Sequence, residues 1–74
     1  MPDLVPIIRR FSGHEFEIRR RYSHDPEFRA ICEDHAAATS ALARWEKDHA
    51  KAEDYRQLIR ELEEEILAHL ANHR

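Results

Sequence analysis

His69 and His73 stand four residues apart near the end of a 74-residue chain, with Glu65 one helical turn before them. On a helix these three side chains share a face, and two imidazoles with a carboxylate are a donor set that suits zinc. A helix C-terminus also favours histidines for a plainer reason, because an imidazolium there complements the helix dipole. That reading accounts for both residues without a ligand, so no metal centre and no cofactor are expected. Cys32 and His35 are the other pair that could do chemistry. A thiolate needs a base, an oxyanion hole and a pocket, and a histidine three residues on along one helix supplies only the base. Cys32 next to Ile31 reads as a small hydrophobe inside a helix, and no catalytic residue is expected. The run Glu61 to Glu65 spreads its carboxylates around a helix, which suits a solvated face rather than a cation site. His14 and His24 lie in polar surroundings and are expected to face solvent.

Charge is unevenly placed. Arg9, Arg10, Arg19, Arg20 and Arg21 gather near the N-terminus, and Glu61, Glu63, Glu64 and Glu65 near the other end. The arginines could hold nucleic acid or another polyanion, but the simpler reading is solvated faces in which they complement the glutamates of the same chain. A net charge of −3 gives no general attraction to nucleic acid or to an anionic membrane. Neither partner is favoured. Arg9-Arg10-Phe11 lacks the apolar run that a twin-arginine signal needs next, and no stretch approaches transmembrane length. A cytoplasmic location is the default expectation.

These residues need elements to position them, and the composition points to helices. Charged residues make up 36 %, and glycine occurs once, at Gly13. An all-α fold without strands is expected. The tail 1–12 carries Pro2 and Pro6, so any helix there is short, yet Leu4, Val5, Ile7, Ile8 and Phe11 are too apolar to be idle. They should pack on the rest of the chain or on a second copy. Ser12 with Glu15 forms a capping-box pattern, and Phe11 with Phe16 a hydrophobic staple, which together predict a short helix over 13–23. Asp25-Pro26-Glu27 is a strong helix start: the proline drives Asp25 out of the helical region and frees its carboxylate as a cap.

From there an apolar stripe runs through Phe28, Ile31, His35, Ala38, Leu42 and Trp45, then resumes in mirrored order through Tyr55, Ile59, Leu62, Ile66, Leu70 and His73. Spacings of three and four put each half on one helical face. Two helices over 26–47 and 53–72, folded back near residue 50, would set Trp45 against Tyr55 and Phe28 against His73. The spacing slips at His49, Ala52 and Tyr55, which rotates the stripe and marks 48–54 as the turn, with Asp48 able to cap the second long helix. Neither glycine nor proline occurs there, so one continuous helix is the alternative.

Pro26-x-Phe28-x-x-Ile31, His35 and Leu42-Ala43-Arg44-Trp45-Glu46 resemble the central helix of the YdcH-like family of short bacterial proteins. Phe16-Glu17-Ile18-Arg19-Arg20 is similar to that family's leading helix, and the leucine- and glutamate-rich stretch from Leu58 to Leu70 to its last one. The resemblance covers about residues 16–70. It implies a helical hairpin and no particular reaction. Family members tend to carry a turn glycine or serine between the long helices, and leucine-like residues where this chain has Ala36, Ala37, Ala38 and Thr39.

A chain this short seldom buries enough apolar surface alone, and a single cysteine cannot form an internal disulfide. The expected architecture is an antiparallel helical hairpin with a short N-terminal helix, dimerising into a four-helix bundle. Its interface would draw on Phe28, Ile31, His35, Leu42, Trp45, Tyr55, Ile59, Leu62, Ile66 and Leu70. His35, the polar member of the seam, would set register. The expected function is non-enzymatic: a homodimeric interaction module with room for a further protein partner. The alternative is a regulatory module that binds a polyanion through Arg9 to Arg21.

Overall fold

The computed structural model describes residues 4–71, and within them the chain is all-helical, with four helices and no strand. Helix α1 spans Val5–Arg10, α2 Glu15–His24, α3 Pro26–Arg44 and α4 His49–Ala71. Helices α3 and α4 form the antiparallel hairpin. The two short helices fold back over one end of it, where Leu4, Ile7 and Phe11 join Ile18, Tyr22, Phe28, Ile31, Cys32, Ile66 and Leu70 in one buried cluster. Leu4, Ile7 and Phe11 of the apolar N-terminal segment thus complete the core of their own chain.

Local chemistry explains each boundary. Pro6 sits in the first turn of α1, where its missing N–H costs nothing. The link to α2 is made by Gly13, whose φ of 95° lies in the left-handed region that a side chain would strain. Because the chain turns there, the expected capping box does not form. His14 occupies the N-cap position of α2 without a side-chain cap, and Glu15 pairs with Arg19 at 3.0 Å instead. The staple is absent as well: Phe11 is buried, whereas Phe16 is 80 % exposed on the outer face of α2.

Asp25 does what its position before Pro26 implies. Its Oδ1 accepts from the backbone N–H of Glu27 at 3.0 Å and of Phe28 at 3.2 Å. One turn on, Arg29 reaches back across this junction and donates to the carbonyls of Tyr22 and Ser23, both at 3.0 Å, which satisfies acceptors at the end of α2. Its guanidinium lies 5.7 Å from the centroid of the Tyr22 ring. The corner between α2 and α3 is therefore tied by two charged side chains.

The hairpin turn falls at 45–47, earlier than the expected 48–54, and α4 begins at His49 rather than at 53. The reason is the double use of Asp48. Its backbone N–H donates to the Trp45 carbonyl at 2.9 Å, closing the turn, while its side chain accepts from Lys51 N–H at 3.2 Å and its carbonyl from Ala52 N–H at 2.8 Å. Among the described residues no non-glycine residue adopts a positive φ, so the turn needs no glycine. The slipped spacing at His49, Ala52 and Tyr55 is helix, with Ala52 buried. Across the hairpin Phe28 meets His69, ring centroids 5.7 Å apart and edge to face. His73 lies outside the described residues.

Candidate functional site

The polar group built most deliberately into this fold is His35. It is 3 % exposed on the α3 seam, and its Nε2 lies 3.2 Å from Glu63 Oε2 on α4. The other oxygen of the same carboxylate accepts from Arg10 Nε of α1 at 3.3 Å. One carboxylate thus joins three helices. Glu63 belongs to the glutamate run expected to lie on a solvated face, but its side chain is 20 % exposed and turned inward. The physical reason is that a buried imidazole needs a partner, and Glu63 is the group that α4 brings level with it. His35 Nε2 finds that partner inside its own chain.

Cys32 shares the same core and is fully buried. Burial pushes its thiol up to about 12, with the Glu33 carboxylate adding to the shift. That is the environment of an inert thiol, since the thiolate is the nucleophile. His69 lies near the carboxylates at the start of α3. Its Nδ1 lies 3.9 Å from Asp25 Oδ2 and its Nε2 3.9 Å from Glu27 Oε1, over the start of α3. Glu65 is exposed. Among the described residues no three histidine, cysteine or carboxylate side chains converge as a metal site.

Three of the five N-terminal arginines are engaged by carboxylates. Arg10 is engaged by Glu63, Arg19 by Glu15, and Arg21 by Glu17 at 2.8 Å. Arg9 is exposed at the end of α1 and Arg20 on α2, beside the uncovered ring of Phe16.

The stripe divides by position along the hairpin. Phe28, Ile66 and Leu70 are fully or almost fully buried, and Ile31 and Leu62 nearly so, in the cluster that α1 and α2 join. These residues spend their apolar surface within the chain, so only part of the expected interface faces outward. Toward the turn the cover stops. Leu42, Tyr55 and Ile59 are half-buried, Leu58 is 41 % exposed and Trp45 37 %, with Lys51 Nζ 3.8 Å from the centroid of the Trp45 ring. Between the arms runs an open groove of about 350 Å³, walled by Ala37, Ala38 and Ala41 on α3 and by Tyr55, Leu58 and Leu62 on α4. Asp34 stands at its edge. Sequence spacing alone does not single out this flank, because Leu58 and Ala37 fall beside the main stripe rather than on it. Among the described residues no helix is long and apolar enough to cross a membrane. No family model, curated protein or solved structure matches the chain.

Proposed function

We propose that this chain is a non-enzymatic protein-protein interaction module that works as a homodimer, its hairpin arms pairing with those of a second copy as a four-helix bundle. One observation carries the proposal. Helices α1 and α2 close the core at one end only, so Tyr55 and Leu58 keep apolar surface along a groove that a second helix pair could fill, while Leu42 and Ile59 stay half-buried. The buried, unreactive state of Cys32 and the engagement of His35 by Glu63 support a structural rather than a catalytic role for both. With three of the five N-terminal arginines paired inside the chain, the polyanion reading has less free cation to rest on. The likeness to the YdcH-like hairpin proteins is offered on the same footing, as a relationship of helix pattern with no activity attached.

Sedimentation equilibrium across a wide range of concentration tests the proposal. A dimer that dissociates on dilution is the expected result. A monomer at every accessible concentration would overturn it and leave the groove to a different protein.

A further inference from the structure

The outer flanks of both arms carry a charge pattern that is complementary to itself. On α3, Asp34, Ala37, Ala41 and Arg44 follow one another at intervals of three, four and three, which places them on one face beside the buried stripe. The series is symmetric about Thr39: Asp34 and Arg44 lie five residues to either side, Ala37 and Ala41 two. On α4, Lys51, Leu58 and Glu65 recur every seven residues and are symmetric about Leu58. The two centres lie at the same level of the hairpin. His35 and Glu63 mark one level by their 3.2 Å contact, and stepping toward the turn by four residues on α3 and five on α4 reaches Thr39 and Leu58. At 1.5 Å per residue the two steps differ by only about one residue's rise.

We infer that a second copy of this chain is the occupant of the groove, related by a two-fold axis that crosses the arms at the level of Thr39 and Leu58. This register rests on the homodimer proposed above. With the axis perpendicular to the arms, α3 runs antiparallel to its copy and α4 to its own. Asp34 then faces Arg44 of the other copy, and Arg44 faces Asp34, so one residue pair is used twice. Ala37 meets Ala41, where the absence of large side chains lets the α3 backbones approach. Leu58 meets its own equivalent on the axis and fills the groove, while Lys51 and Glu65 close the outer edge. Asp34, Arg44 and Glu65 are exposed, and among the described residues none has an ion-pair partner within its chain. An apolar centre with paired charges at its rim is the anatomy of a helical interface.

Two sets of variants test the register in the full chain, and all of them change exposed positions. Asp34→Arg sets like charges against each other twice in the dimer, as does Arg44→Asp. Each should weaken dimerisation about tenfold at low salt, and the double variant should return to within about threefold of the parent. Leu58→Cys should form a disulfide-linked dimer under mild oxidation, while the parent, whose only thiol is buried, does not. If the parent dimerises but charge reversal has no effect and Leu58→Cys stays monomeric on a denaturing gel, the register is wrong and the homodimer stands. If the parent is monomeric throughout, the homodimer itself fails and another protein covers the groove.

Discussion

At the scale of single residues, the Glu63 carboxylate carries more than its place in an acidic run suggests. It satisfies His35, which is almost fully buried, and at the same time holds Arg10, which is largely exposed. Removing the two ends of the His35 contact should therefore have unequal effects. Glu63→Ala leaves a buried imidazole without its acceptor and should cost about 1–3 kcal/mol, whereas His35→Leu leaves Glu63 paired with Arg10 and should cost less. Urea denaturation of the two variants checks the order, and an equal or reversed order would mean that the imidazole is satisfied without Glu63. Cys32 gives a second expectation. Its thiol has an ordinary value of 9.0 and is raised to about 12 in the fold. Below pH 9 the group is neutral in both states and its contribution is complete. Between about pH 9 and 12 the unfolded chain releases the proton while the folded chain keeps it, so stability should fall as pH rises through that window. Cys32→Ala should flatten the fall when denaturation midpoints are compared across it.

At the scale of elements, the junctions are held by side chains reaching backbone groups. Asp25 accepts two N–H groups at the start of α3, and Arg29 donates to two carbonyls at the end of α2. Loss of an N-cap of this kind typically costs about 1 kcal/mol, so Asp25→Ala should lower the unfolding free energy read from denaturation curves by an amount of that order. Asp25→Asn keeps an oxygen acceptor and should recover most of the loss. Phe16→Ser on the exposed face of α2 should change stability by no more than about 0.5 kcal/mol, as expected for a surface position. A large loss there would show that the ring is covered in solution. Helix α4 illustrates how a weak local signal becomes a firm boundary. Nothing in the turn forbids helix, yet Asp48 serves both the turn behind it and the helix ahead.

At the scale of the whole molecule, the short helices decide how much of the stripe is available to anything else. Ile7 of α1 is completely buried in the same cluster as Phe28 and Ile66. Ile7→Ala should cost about 2–5 kcal/mol, the usual range for truncating a core isoleucine, and should expose the covered end of the hairpin. Circular dichroism with denaturant measures this directly. A loss below about 1 kcal/mol would detach α1 from the core and return that end of the stripe to an outside partner. The molecule is elongated, with principal extents of 41 × 22 × 21 Å, because α1 and α2 cover only one end of two long arms.

Features that depend on neighbours along the chain are legible in the sequence. The helical class, the start of α3 at Asp25 and Pro26, the mirrored stripe and the polar interruption at His35 are all set by spacing, propensity and local hydrogen bonding. Three features became definite only in the structure. The capping pattern of Ser12 and Glu15 lost to the left-handed turn at Gly13, the fold point moved to 45–47, and Glu63 turned inward from a charged face. The first two follow from short-range geometry, the positive φ of Gly13 and the bonds of Asp48 to Trp45, Lys51 and Ala52, whereas the third was selected by a contact between residues far apart in the chain. Glu63 and His35 are 28 residues apart. A charge run states where its carboxylates are along the helix, but only packing states which of them has a buried partner to meet.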